Sequence, residues 1–86
     1  MYSIQYLESI KDDLSGLPKS IKLKIRKAIE KKLMINPVEF GKPLQYSLKG
    51  LRRLRVEDYR IIYQIEDETK SVLVVKVGHR KEVYED

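Results

Sequence analysis

Six side chains in the C-terminal half of the sequence could do chemistry on a phosphate: Arg53, Arg55, Arg60, His79, Arg80 and Tyr84. Guanidinium groups bind phosphate through two parallel hydrogen bonds and stay charged at any relevant pH. Each well-placed donor that stabilises a transition-state charge contributes roughly 100- to 1000-fold in rate. RNA carries its own nucleophile, the 2′-OH. Its cleavage therefore needs positioning, a proton acceptor and a donor to the leaving 5′-oxygen, but in principle no metal.

Three of these residues also have plainer interpretations. His79 is the only histidine, the residue type that exchanges protons near neutral pH, yet it could be a surface residue at a strand end. Tyr84 could act as the base or could pack on the edge of a sheet. Arg60 lies in an apolar strand, which is unfavourable unless something compensates its charge. A salt bridge would do so, and the candidate acids are Glu57, Glu66 and Glu82.

Residues 41–56 contain basic residues and no acid, in a chain of net charge +5. A solvated surface usually mixes both signs, so this stretch predicts contact with a polyanion, although the charges could simply favour solubility. The candidate RNA-binding residues are Tyr46, Lys49, Arg52, Arg53 and Arg55. Tyr46 could stack on a base or pack in its own loop.

Composition narrows the class of protein. A chain of 86 residues predicts one domain, 1–86, and the absence of cysteine favours a reducing cytoplasm. No signal peptide and no stretch apolar enough for a membrane span are expected. A single histidine makes a metal site improbable, and the sequence contains no strong catalytic or cofactor-binding motif, so no cofactor is expected.

A short strand, YSIQY, is predicted to precede two amphipathic helices. The first has apolar residues at helical spacing: Leu7, Ile10, Leu14 and Leu17. The second begins after Pro18 and has its own apolar stripe: Ile21, Ile25, Ala28, Ile29 and Leu33. Asn36-Pro37 ends it, because the residue before a proline avoids the helical region.

Three further strands follow, LRRLRV, YRIIYQI and SVLVVKV, joined by tight turns. The fold class is therefore α+β, in the order β-α-α-β-β-β, with a two-helix hairpin on one face of a small twisted, mainly antiparallel sheet. Such a hairpin covers one face only. Alternation in the first of these strands puts Leu54 and Val56 on one face and the basic side chains on the other. The residues predicted at this open face or its edge are Arg53, Arg55, Arg60, Arg80 and Tyr84.

The run LRRLRVEDYRIIYQIEDETKSVLVVKVGHRKEVY resembles the C-terminal half of the RelE/ParE toxin superfamily, and most of all its RelE branch. The shared pattern is a basic R-x-R strand, then D/G-Y-R-h-h-Y, an apolar strand and V-G-[HK]-R-x-x-V-Y. The first half agrees in kind, with a strand, a helix pair and an N-P break. The resemblance implies the same β-α-α-β-β-β arrangement, a RelE-like, microbial ribonuclease-like fold.

The resemblance also implies roles for single residues. Arg60 matches the family's strand arginine at the scissile phosphate, Arg80 the second catalytic arginine, and Tyr84 the C-terminal tyrosine that is a candidate base. Arg53 and Arg55 stand where the best-known members have lysines, and arginine does not give up a proton. His79 stands where some members have lysine and some relatives have a histidine that acts as an acid.

The implied activity is that of a type II toxin: a ribosome-dependent endonuclease that cuts the mRNA codon in the decoding site by 2′-OH attack. Its partners would be the ribosome, mRNA and a small cognate antitoxin with an acidic toxin-binding segment. Two alternatives stay open. One is a ParE-like inhibitor of DNA gyrase, which the presence of both Arg80 and Tyr84 disfavours. The other is a catalytically degenerate toxin that only binds its antitoxin.

Overall fold

A five-stranded sheet forms the centre of the computed structural model, which describes residues 1–45 and 50–83. The elements in chain order are β1 (Ser3–Tyr6), α1 (Ile10–Ser15), α2 (Lys19–Ala28) extended by a π-helical turn (Ile29–Leu33), α3 (Pro37–Phe40), β2 (Lys42–Pro43), β3 (Arg52–Val56), β4 (Tyr59–Glu66) and β5 (Ser71–His79). The sheet order is β1-β5-β4-β3-β2, with β1 parallel to β5 and every other pair antiparallel. The predicted α+β class and the antiparallel arrangement of the last three strands are confirmed.

Two short elements, α3 and β2, were not predicted. Asn36-Pro37 ends the second helix as expected, but it also begins α3. The side-chain oxygen of Asn36 accepts a hydrogen bond from the Glu39 N–H at 3.2 Å, and the Asn36 amide donates to the Glu39 carboxylate at 3.1 Å. This pair differs from a capping box, because Glu39 binds the Asn36 side-chain amide while the Asn36 backbone N–H donates to the Lys32 carbonyl. The Asn36–Glu39 spacing was the sequence signal for the cap. The first helix is also shorter than predicted. It begins at Ile10, after Leu7, and ends at Ser15, before Leu17.

The core lies between α2 and the sheet. Ile25, Ile29 and Leu33 of the predicted stripe are buried, with Ile21 and Ala28 packed beside them. They meet the buried residues that β3, β4 and β5 turn toward the helices: Leu54, Ile61, Tyr63, Val72, Val74 and Val77. Burying a side chain of this size contributes about 1.5–3 kcal/mol, so this single layer carries most of the stability. Among the described helices, none is both long and apolar enough to span a bilayer.

A bulge in β5 resets the alternation of the central strand. Tyr63 pairs with Val74 and Ile62 pairs with Lys76, which leaves Val75 without a partner in the ladder. Val74 and Val77 therefore both face the helices, although they are three residues apart in a strand of period two. Because of the bulge, Lys76 lies on the open face instead of in the core.

Tyr63 and Gly41 join α3 to the sheet. The buried Tyr63 hydroxyl donates a hydrogen bond to the Pro37 carbonyl at 2.6 Å. Burial raises the pKa of Tyr63, so the hydroxyl keeps the proton that it donates. A Cβ atom on Gly41 would lie 1.7 Å from this hydroxyl, so only glycine fits there.

Asp13 closes the edge of β5 where β1 has ended. One carboxylate oxygen accepts a hydrogen bond from the Val77 N–H at 3.0 Å, and the other contacts the Lys76 ammonium at 3.1 Å. The Val77 N–H would otherwise be an unpaired donor at the edge of the sheet, and Asp13 provides it with a charged acceptor.

We expect Asp13→Ala to lower the free energy of unfolding by about 2 kcal/mol, because it removes a charged acceptor from a part-buried N–H. Asp13→Asn keeps an acceptor and should lose about half as much. Asp12→Ala is the matched control, since Asp12 is exposed on the same helix, and it should stay within about 0.5 kcal/mol of the parent. Urea unfolding measures all three. Equal losses in Asp12→Ala and Asp13→Ala would contradict the edge-closing role.

Candidate nucleic-acid interface

The face of the sheet opposite the helices carries two rows of residues paired across strands. In the first row Arg53 pairs with Ile62, and Ile62 pairs with Lys76. In the second row Arg55 pairs with Arg60, and Arg60 pairs with Gly78. Paired residues point to the same face, so we define the open-face arginines as Arg53, Arg55 and Arg60. The predicted segregation of Leu54 from Arg53 and Arg55 matches this register.

Arg60 is the charged residue that lies buried in the described part of the chain. The whole residue is only 5% exposed, in the middle of an apolar strand. One guanidinium nitrogen donates to the backbone carbonyls of Tyr59 at 3.2 Å and Glu57 at 3.4 Å. Of the three acids considered as its partner, Glu57 turns its carboxylate to Lys24 on α2 instead.

Arg55 lies directly opposite Arg60. Like charges at paired positions, with Cβ atoms about 5 Å apart, repel each other. Arg55 is exposed, so water solvates its charge, whereas Arg60 is buried in the sheet. An anion placed between these two guanidiniums would relieve the repulsion and gain two-point hydrogen bonding.

The chain turns back onto the open face after β5. The Arg80 N–H donates to the Asp58 carbonyl at 2.7 Å, which holds Arg80 beside the turn between β3 and β4. Its exposed guanidinium lies 3.9 Å from the Asp58 carboxylate, a weak pair that leaves the side chain accessible. Arg80 is therefore at the same end of the sheet as Arg55 and Arg60.

Gly78 and Val83 position this turn, and sequence reasoning assigned neither of them a role. Val83 is buried, and a Cβ atom on Gly78 would lie 2.7 Å from a Val83 methyl group. Val83 thus fills the space that a side chain at position 78 would occupy. Because Gly78 pairs with Arg60, this space lies in the same row as Arg60. The only sequence signal was a glycine inside an otherwise apolar strand, which often marks a close approach of another segment.

His79 lies on the other face. It pairs with Tyr59, and the two rings meet edge to face with centroids 5.3 Å apart. Its Nδ1 accepts a hydrogen bond from the Lys81 N–H at 3.1 Å, and its carbonyl accepts from the N–H groups of Glu82 and Val83. Nδ1 thus serves as a hydrogen-bond acceptor, and His79 organises the turn that holds Arg80.

Arg52 has contacts that differ from those of its neighbours in β3. It pairs with Tyr63, and its guanidinium donates to the backbone carbonyls of Val38 at 2.5 Å and Gly41 at 3.0 Å. These bonds tie the end of α3 to the sheet on the helix side, away from the open-face arginines. Tyr46, Lys49 and Tyr84, the remaining predicted site residues, lie outside the described residues.

The described part of the chain also shows no cluster of three or more histidine, cysteine, aspartate or glutamate side chains suited to a metal ion.

Comparison with known proteins shows which family the chain belongs to. The sequence model of the family described as "ParE toxin of type II toxin-antitoxin system, parDE" matches residues 4–84. The chain is 31% identical over 83 residues to Toxin RelG of Mycobacterium tuberculosis (strain ATCC 25618 / H37Rv), covering 96% of this chain and 95% of that one. Toxin RelE of the same strain is also 31% identical over 83 residues, covering 96% and 86%.

Solved structures of similar fold include the toxin–antitoxin complex RelBE2 from Mycobacterium tuberculosis. It superimposes with a TM-score of 0.84 at 32% identity, covering 92% of this chain and 91% of that chain. The isolated E. coli RelE toxin has a TM-score of 0.76 at 22% identity, covering 92% and 84%, which is evidence about the fold alone. Fold and sequence together place the chain among the toxins of type II toxin–antitoxin systems. Within that class it belongs to the RelE/ParE toxin superfamily, in the RelE-like branch.

Arg52 and Arg55 give a test of the division between structural and open-face arginines. We expect Arg52→Ala to lower the free energy of unfolding by about 2 kcal/mol, because two carbonyls lose a charged donor. Arg55→Ala should change it by no more than about 0.5 kcal/mol, since its side chain is exposed. Urea unfolding of both variants decides this. A loss in Arg55→Ala as large as that in Arg52→Ala would contradict the assignment.

Proposed function

We propose that this toxin is a metal-independent, ribosome-dependent endoribonuclease that cuts mRNA in the decoding site and so inhibits translation. The observation that carries the proposal is the placement of Arg60, buried in the sheet, opposite Arg55 and at the end of the sheet where Arg80 is held. A toxin that acted only by covering a protein surface would not need a buried guanidinium on its open face. A nuclease does, because a buried, restrained donor stabilises a developing charge without reorganising.

In the proposed reaction the open-face arginines bind the phosphates that flank and include the scissile one. The 2′-oxygen attacks phosphorus, the bond from phosphorus to the 5′-oxygen breaks, and a cyclic 2′,3′-phosphate and a 5′-hydroxyl result. Arg60 would neutralise the non-bridging oxygens as charge builds on them, and Arg80 would face the leaving oxygen. Tyr84 is the proposed base, on the resemblance alone.

The contacts of His79 favour a positioning role for this residue in the proposed reaction. Its ring lies on the helix side of the sheet, and its Nδ1 is already engaged by the Lys81 N–H. We therefore propose that His79 holds the turn carrying Arg80, and that Arg80 stabilises the charge on the leaving 5′-oxygen by hydrogen bonding. The proton that this oxygen takes up comes from water or from a group of the ribosome, because arginine does not give up a proton. Arg53 and Arg55, with Lys49 and Tyr46, complete the proposed RNA-binding surface. Arg52 is the weakest member of that set because its guanidinium is bonded to the α3 end.

The proposed partners are the ribosome, its mRNA and a small antitoxin, in the cytoplasm where translation takes place. Support for the antitoxin comes from relatives of the same fold, which include RelBE toxin–antitoxin complexes. The net charge of +5 fits both a polyanionic substrate and an acidic antitoxin.

Arg60→Ala and Arg80→Ala should each lower mRNA cleavage in a translating extract by roughly 100-fold or more, because each removes a donor to the transition state. Growth arrest on expression should be lost with them. Lys32→Ala, an exposed change on the helix side of the molecule, is the matched control and should cleave like the parent. Cleavage that survives both arginine changes, with the fold intact by circular dichroism, would rule out the proposed site.

Inhibition of DNA gyrase is the second candidate function, because the family model that matches residues 4–84 is the one described for ParE toxins. A supercoiling assay with purified gyrase separates the two functions. We expect relaxed plasmid to be supercoiled at the normal rate at toxin concentrations that already cut mRNA in the extract. Lost supercoiling with intact mRNA would favour the ParE-like function instead.

A further inference from the structure

The two-residue loop between β3 and β4, formed by Glu57 and Asp58, has a backbone conformation that glutamate rarely adopts. Val56 pairs with Tyr59, so the hairpin reverses direction over these two residues alone. Glu57 has a φ of 54°, in the left-handed region where such loops usually place glycine or asparagine. Backbone strain of this kind is concentrated at functional sites, where the surrounding contacts hold the unfavourable conformation in place.

Both proposed catalytic arginines are bound to the backbone of this Glu57–Asp58 loop. The Arg60 guanidinium donates to the Glu57 carbonyl at 3.4 Å and to the adjoining Tyr59 carbonyl at 3.2 Å. The Arg80 N–H donates to the Asp58 carbonyl at 2.7 Å. Neighbouring carbonyls therefore position the side chain of one arginine and the backbone of the other. A change in the conformation of the loop alters the separation of the two guanidiniums.

A salt bridge fixes this loop from α2. The Lys24 ammonium binds the Glu57 carboxylate, and the two side chains are 51% and 53% exposed. A pair this exposed contributes little to the stability of a fold. Glycine at position 57 would relieve the backbone strain but could not form the salt bridge. The contact with Lys24 is therefore what a glutamate adds at an unfavourable backbone position.

Resting on the nuclease function proposed above, we infer that Lys24 and Glu57 are positioning residues for cleavage. Lys24 holds the Glu57–Asp58 loop, and the carbonyls of the loop hold Arg60 and Arg80 at a fixed separation around the scissile phosphate. Lys24 and Glu57 act through the two arginines and contact no reacting atom. Without the salt bridge the loop samples other conformations, and a smaller fraction of the bound complexes has both guanidiniums in the reactive arrangement.

The test compares Lys24→Ala with Lys27→Ala, which removes the same charge from an exposed position on the same helix. Single-turnover cleavage of mRNA is measured on purified ribosomes over a range of ribosome concentrations. We expect Lys24→Ala to lower the rate at saturating ribosomes about tenfold, because small displacements of catalytic groups are costly in rate. The ribosome concentration that gives half of the maximal rate should be the same in the two variants. Lys27→Ala should have the maximal rate of the parent.

Glu57 provides two further variants. Glu57→Gly suits the positive φ but removes the carboxylate, so its urea unfolding midpoint should not fall while its cleavage slows as in Lys24→Ala. A loss of rate without a loss of stability distinguishes positioning from a purely structural role. The double variant Lys24→Glu, Glu57→Lys restores a pair of opposite charges. It should recover most of the rate that Lys24→Glu alone loses.

Hydrogen exchange of the Arg80 N–H reports on the loop without any cleavage. Measured by NMR, this amide should exchange at least about threefold faster in Lys24→Ala than in Lys27→Ala, because the Asp58 carbonyl that accepts its hydrogen bond is held less firmly. The inference is overturned if Lys24→Ala matches Lys27→Ala in either rate. It is also overturned if the double variant is no more active than Lys24→Glu.

The two measurements separate this inference from the proposed function. If the parent cuts no mRNA but the Arg80 N–H exchanges faster in Lys24→Ala alone, the nuclease proposal fails and the hold of the salt bridge on the arginine loop stands. If the parent cuts mRNA and Lys24→Ala matches Lys27→Ala in cleavage and in exchange, the nuclease proposal stands and the positioning role fails.

Discussion

Across residues 1–45 and 50–83, helices cover the sheet on one face only, and most of the structure follows from that constraint. With α2 packed over β3, β4 and β5, every residue of these strands is assigned either to the core or to the open face. Moving Leu54 outward would move Arg53 and Arg55 into the core, at a cost of several kcal/mol for each unpaired charge. The same packing that stabilises the fold therefore fixes where its positive charge is displayed.

Arg60 is the point where stability and the proposed function meet. A guanidinium that is 5% exposed loses most of its hydration, and its contacts with the backbone carbonyls of Tyr59 and Glu57 restore part of that loss. On our account a cation is kept at this position because a preorganised positive charge gains most when negative charge develops beside it. Val83 packs against Gly78 and so brings the C-terminal turn to the row that contains Arg60.

Regular alternation made much of this arrangement predictable. The faces of Leu54, Arg53 and Arg55 followed from period two, and the stripe from Ile21 to Leu33 followed from helical spacing. The bulge at Val75 was not predicted, although one sign of it was present: strict alternation from Val72 and Val74 would have placed Lys76 in the core. Strict alternation from Val72 would have put His79 on the open face, whereas the bulge turns it to the helix side. The face on which His79 lies thus depends on a single unpaired residue in β5.

The chemistry of the cut ends tests the central claim most directly. Wild-type protein would be added to a translating extract, and the mRNA fragments mapped by methods specific for 2′,3′-cyclic phosphate and 5′-hydroxyl termini. The account predicts cuts inside the codon held in the decoding site, with a cyclic phosphate on one fragment and a 5′-hydroxyl on the other. Fragments with 5′-phosphate ends, or uncut mRNA at concentrations that arrest growth, would contradict it.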